Sequence, residues 1–162
     1  RIKFGIEVYK KIASQKLNKP VSELTPEDLQ NKILPSLVLN GATEQLPMMD
    51  RIAKSFGFPQ EKIILFNCGD HAVANTQTHF TKMPEHPVVG KFKHVALVST
   101  SYHAPRVART ASKNIPADID FDVLGVPMKD FPFDVYRKVK GEVKRIIEYS
   151  AKGDIDKNLR TE

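Results

Sequence analysis

The segment Val95-Ala-Leu-Val-Ser-Thr-Ser-Tyr-His-Ala-Pro-Arg-Val-Ala-Arg109 passes abruptly from apolar to polar chemistry. Val95 to Val98 is apolar and rich in β-branched side chains, which suits a strand covered on both faces, as in a parallel sheet between helices. Ser99, Thr100 and Ser101 follow, then Tyr102, His103 and Arg106 around Pro105. This second half predicts a helix start: hydroxyls cap free N–H groups, and proline is tolerated in a first turn that lacks acceptors for those groups. A strand that delivers hydroxyls, a histidine and an arginine to a helix N-terminus is a candidate anion-binding corner, because the helix dipole and free N–H groups favour negative charge there.

The same alternation recurs on both sides. Upstream, the pattern predicts a strand over Ile33 to Asn40, a helix from Glu44 to Phe56, a strand over Lys62 to Phe66 and a helix from Asn75 to Lys82. Downstream it predicts a strand over Phe121 to Val126 and a long closing helix from Phe133 to Tyr149, with Val135, Val139, Val143, Ile146 and Ile147 facing inward. Strands alternating with helices through short loops imply a three-layer α/β/α, Rossmann-like, mostly parallel sheet. The chain opens on an amphipathic helix, Ile2 to Ser14, followed by a proline-bearing excursion over residues 15–32 with a capping-type Thr25-Pro-Glu-Asp start, read as an insertion or lid. Residues 1–150 are read as one domain and residues 151–162 as a polar, loosely ordered tail.

In sheets of this kind ligands bind beyond the carboxyl ends of the strands. That rule gathers four loops into one expected cleft: Asn40 to Glu44, Asn67 to Thr76, Ser99 to Arg106, and Gly125 to Phe131. The expected ligand-binding residues are Asn40, Gly41, Asn75, Thr76, Ser99, Thr100, Ser101, Tyr102 and Arg106. His103 is a candidate general base beside those hydroxyls, or else a structural hydrogen-bonding partner of a neighbouring loop. Arg106 in a first helical turn is electrostatically disfavoured unless it meets an anion or an acidic side chain such as Glu44 or Glu142. Glu44 is read either as a favourable first-turn charge or as a catalytic acid/base, and Asn75 as a helix cap beside a ligand.

Composition narrows the classes. The 162 residues carry a net charge of +6, with 41% hydrophobic and 27% charged residues, ordinary values for a globular chain. The lysines and arginines are scattered, without the aromatic-interleaved basic motif of an RNA-binding sheet, a zinc finger or a helix-turn-helix, so no nucleic-acid partner is expected. Cys68 is the single cysteine, and His71, His79, His86 and His94 lack metal-binding spacing, so no metal site is expected. No apolar run is long enough for a membrane span, and the chain is read as cytoplasmic, with an envelope location through an N-terminal anchor as the alternative.

The block Leu97-Val-Ser-Thr-Ser-Tyr-His-Ala-Pro-Arg106 resembles the strand-then-Tyr-His-x-x-Arg signature of the YdcF-like superfamily, a domain of unknown function shared with SanA and ElyC. Asn40-Gly-Ala-Thr-Glu44, Asn75-Thr76 and Glu142 resemble its Gly-rich turn, its Asn-Thr pair and the acid of its closing helix. Gly41-Ala42 and His79 depart from that pattern, which has a second glycine and an asparagine there. The resemblance implies a further strand and glycine-rich loop ahead of Arg1. It also implies a small anionic or nucleotide-like ligand, with S-adenosylmethionine a candidate. The alternative it suggests is a hydrolase or transferase acting on a phosphate ester in cell-envelope metabolism.

Overall fold

The computed structural model describes residues 1–70, 72, 75–128 and 133–156, with the side chains of 133 and 134 outside that description. Two compact units divide the chain, Arg1–Ala74 and Asn75–Glu162. Both are mixed α/β, and each contains a pair of short parallel strands.

In the first unit, α1 (Ile2–Leu17) buries Ile6, Tyr9 and Ala13, the i, i+3, i+7 stripe of an amphipathic helix. It ends on Asn18 in the left-handed region, φ 49°, with the Asn18 N–H donating to Gln15 O. Asparagine tolerates that conformation better than most residues, and Pro20 follows where a helix could not continue. The excursion after α1 is packed down. Its short helix α2 (Pro26–Leu29) opens on a reciprocal capping box between Thr25 and Asp28, as the sequence predicts, and Lys19 Nζ lies 2.6 Å from Asp28 Oδ2. Leu29 enters the core beside Ile6, Tyr9, Leu34, Leu39, Ala53 and Phe58.

β1 (Leu37–Gly41) and β2 (Ile63–Asn67) pair in parallel, Leu37 opposite Ile63 through Gly41 opposite Asn67, with α3 (Leu46–Ser55) between them in sequence. The first strand starts later than the sequence predicts, because Pro35 cannot donate to a ladder and Ile33 N–H is taken by Asn31 Oδ1 at 3.1 Å. Ile33 is accordingly exposed, and so is Phe56, which was predicted as the last residue of the helix but falls just beyond the end of α3. A Cβ on Gly41 would lie 3.0 Å from Met49 Sδ, so the glycine lets α3 approach the strand.

In the second unit, α4 (Thr76–Thr81) precedes β3 (His94–Thr100), α5 (Ala104–Asn114), β4 (Asp120–Val126) and α6 (Phe133–Lys152). β3 and β4 are parallel, His94 opposite Asp120 through Thr100 opposite Val126. The expectation that β3 is buried on both faces is not met: Val95, Leu97 and Val98 are half-buried, in a strand paired within a two-stranded sheet. Phe80, Met83, Val89, Val107, Ala111, Ile115 and Ile119 are buried in this unit. The helical phase of α6 differs from the expected one. Val135 and Glu142 are buried, whereas Val143 and Ile147 are exposed, so the inward face carries a carboxylate that an apolar-only pattern passes over. Part of the expected loose tail is also held, since Ile155 is buried and Asp156 N–H donates to Arg109 O at 3.3 Å.

Tyr9 shows how the first unit is closed. Its hydroxyl donates to Leu29 O at 2.8 Å, its ring meets Phe58 edge-on, and burial pushes its pKa up to about 12. Tyr9→Phe keeps the ring but leaves the Leu29 carbonyl without that donor, so urea unfolding should show a loss of about 1–2 kcal/mol with little change in slope.

Candidate functional site

Glu142 is the centre of the second unit's polar cluster. It sits on α6 with its side chain only 7% exposed, and an isolated carboxylate at that depth would be strongly disfavoured. Three cationic or titratable groups converge on it. Arg106 Nε donates to Oε2 at 2.6 Å, Arg145 Nη1 donates to Oε1 at 2.7 Å, and His103 Nδ1 lies 3.0 Å from Oε2. Burial pushes the Glu142 carboxyl up, but hydrogen bonds from Arg106 and then His103 outweigh that, lowering its pKa from 4.5 to about 2.

Local sequence explains the approach of each partner. Arg106 and His103 stand three residues apart at the start of α5, on neighbouring turns of one helix face. Arg106 also donates through Nη1 to Thr76 Oγ1 at 3.0 Å, and its guanidinium lies 5.6 Å from the Tyr149 ring centroid. One arginine thus joins the first residue of α4 and two turns of α6 to α5. Of the two partners foreseen for it, Glu142 is the one engaged. The lowered polarity around the cluster strengthens these charge-assisted bonds.

The hydroxyls behave differently from expectation. α5 has no side-chain cap: its start is closed by backbone bonds, with His103 N–H donating to Thr100 O at 2.9 Å and Arg106 N–H to His103 O at 3.1 Å. The Ser101 hydroxyl instead donates to the Val126 carbonyl across the strand pair. Ser99 is buried, and Thr100, Ser101 and Tyr102 are half-buried around the same turn. A Cβ on Gly125 would lie 3.2 Å from Ser101 Cα, so glycine at that point lets β4 pass close to the turn.

Asn75 is a cap, accepting from Gln77 and Thr78 N–H at 2.9 and 3.0 Å. Asn40, Gly41 and Glu44 belong to the first unit, where Asn40 Oδ1 accepts from the buried Cys68 thiol at 2.9 Å and Glu44 is exposed before α3. The structure therefore brings Thr76, His103 and Arg106 together around Glu142, with Ser99 to Tyr102 in the adjoining turn. The four expected loops are divided between the units, and His71, Val73, Ala74 and residues 129–132 lie outside the described residues. Sequence reasoning missed Arg145 and Tyr149; the i, i+3 spacing of Glu142 and Arg145 was the available signal. His86 and His94 have local partners, Val88 and Val89 N–H for the first and Asp122 for the second. Among the described residues no group of three His, Cys, Asp or Glu side chains is placed to hold a metal ion, and no helix is long and apolar enough to cross a membrane.

No protein-family model, curated protein or solved structure matches this chain.

The depressed Glu142 value fixes a pH dependence. In the unfolded chain the carboxyl takes its proton near 4.5, and in the folded chain only near 2, so its contribution is complete above 4.5 and is lost as the pH falls towards 2. Glu142→Gln should melt well below the wild type at neutral pH, and the gap should narrow steadily as melting is followed from pH 5 down to pH 2.

Proposed function

We propose that the second unit binds a small anionic or nucleotide-like ligand at the corner formed by the end of β3 and the start of α5, as a YdcF-like domain, with S-adenosylmethionine a candidate ligand. The observation that supports this is the charge balance at Glu142. Arg106 and Arg145 both bond the same carboxylate, so two guanidiniums share one negative charge and the cluster carries a positive excess beside the N-terminal turn of α5. Further negative charge is favoured there by the helix dipole and by the bonded guanidiniums. His103, Ser99, Thr100, Ser101, Tyr102 and Thr76 supply donors and acceptors around it. The finer fold that accompanies this reading is the three-layer, mostly parallel Rossmann-like sheet of YdcF-like domains.

A second reading rests on a different observation, the contact between His103 and Glu142. A carboxylate that orients an imidazole beside hydroxyl groups is the arrangement of a general base in acyl or phosphoryl transfer. Under it, the domain is a hydrolase or transferase of a phosphate ester, with lipid-linked envelope precursors as a substrate class.

Two measurements test the two readings. Thermal melting with S-adenosylmethionine, adenosine nucleotides or inorganic phosphate should raise the midpoint by about 5–10 °C at a hundredfold excess over Kd, and Arg106→Ala should abolish the rise. No rise at millimolar concentration of any of these contradicts ligand binding. Turnover of p-nitrophenyl phosphate that vanishes in a folded His103→Ala variant would favour the second reading instead.

A further inference from the structure

Three large apolar side chains that remain exposed stand on one helix. Tyr136, Val143 and Ile147 of α6 are 57%, 52% and 65% exposed. At spacings of seven and four residues they fall within about 40° of one another round the helix, a stripe about 17 Å long. Apolar groups scattered singly on a surface are ordinary, whereas a row aligned on one helix face marks a contact surface.

Cations border that stripe. Lys140 shares its sector, and Lys144 and then Arg137 come next round the helix. Beyond them Arg137, Lys138, Gly141 and Arg145 line an open depression of about 350 Å³, with no side chain at Gly141 to fill it. All five of these lysines and arginines are exposed. The acids of α6 whose side chains are described offset them only in part. Glu142 is buried and bonded to Arg145, and Glu148 meets Lys144 at 3.8 Å in a pair whose lysine is 79% exposed, so that pair is weak. The exposed face of α6 therefore carries an apolar row with a band of positive charge along one side.

The two halves together select the occupant. A second copy packed on the same stripe brings like charges together. A nucleic acid would engage the cations and leave the aliphatic row in water. An anionic lipid surface satisfies both: headgroup phosphates meet the cations, and the apolar side chains enter the boundary between headgroups and acyl chains, a level that suits a tyrosine ring and its hydroxyl. α6 is not apolar enough to cross a membrane, so it would lie in the plane of such a surface.

We propose that the exposed face of α6 is a peripheral docking surface for an anionic lipid bilayer, seated by Tyr136, Val143 and Ile147 and drawn in by Lys140, Lys144 and Arg137. The attachment is reversible, because three apolar side chains reach only the boundary layer and the charge attraction is screened by salt. It does not depend on the ligand corner, since the Glu142 carboxylate that organises that corner is on the buried side of the helix.

Co-sedimentation of the whole chain with sucrose-loaded vesicles tests this. The chain should sediment with phosphatidylcholine vesicles that contain phosphatidylserine and stay in solution with phosphatidylcholine alone, and raising salt from about 0.1 to 0.5 M should release it. Lys140→Gln with Lys144→Gln should weaken binding about 25-fold, at about fivefold for each cation. Val143→Ser with Ile147→Ser should weaken it at least about tenfold at the same salt. All four side chains are exposed, so both double variants should melt close to the wild type; the lipid and salt dependence of the wild type decides even without them. No sedimentation at millimolar phosphatidylserine, or equal sedimentation with neutral vesicles, overturns the proposal. Undiminished binding by the Val143→Ser, Ile147→Ser variant also overturns it, because cations alone then act and the face fits a nucleic acid or an acidic protein instead.

Discussion

A carboxylate on the inward face of a helix imposes conditions on everything near it. Glu142 is buried on α6, and its charge is tolerable only because Arg106, Arg145 and His103 meet it. Those partners come from two helices, and Arg106 passes the constraint on to Thr76 at the start of α4 and to the Tyr149 ring. The second unit is thereby fixed at one polar point as well as by its apolar contacts. Removing Glu142 leaves the Arg106 guanidinium, itself 11% exposed, without its carboxylate, which costs more than the pair contributes when intact.

The first unit is held by other means. Its core is apolar around Ile6, Tyr9, Leu39 and Phe58, and its polar groups are satisfied locally, by the Thr25–Asp28 capping box and by the Tyr9 hydroxyl on the Leu29 carbonyl. Asn40 and Gly41, at the end of β1, serve contacts inside that unit: one accepts from Cys68 and the other makes room for Met49.

Much of the fold was legible because it depends on short-range patterns. The β-branched run at Val95 to Val98 and the segment Phe121 to Val126 became β3 and β4, the Thr25-Pro-Glu-Asp and Asn75-Thr76 starts became capped helices, and the parallel pairing followed from strands separated by helices. Burial was less legible. The apolar periodicity of α6 pointed Val143 and Ile147 inward, and both are exposed, whereas Val135 and Glu142, seven residues apart on one helix face, are buried. Within the site, the arginine in the first turn of α5 announced an acidic partner, and Glu142 was among the partners foreseen. Arg145 was not, since a spacing of three on a helix rich in lysine and arginine is a weak signal by itself. The hydroxyl cap expected for α5 failed for a specific reason: Ser101 reaches the Val126 carbonyl, and the backbone closes the turn through Thr100.

The central claim is that Glu142 and Arg106 act as one unit on which the corner depends. A double-mutant cycle of Glu142→Gln and Arg106→Gln, measured by urea unfolding at neutral pH, tests it most directly. The account predicts a coupling energy above about 1 kcal/mol, the double variant losing clearly less than the two single losses together. Losses that add to within about 0.5 kcal/mol would contradict it.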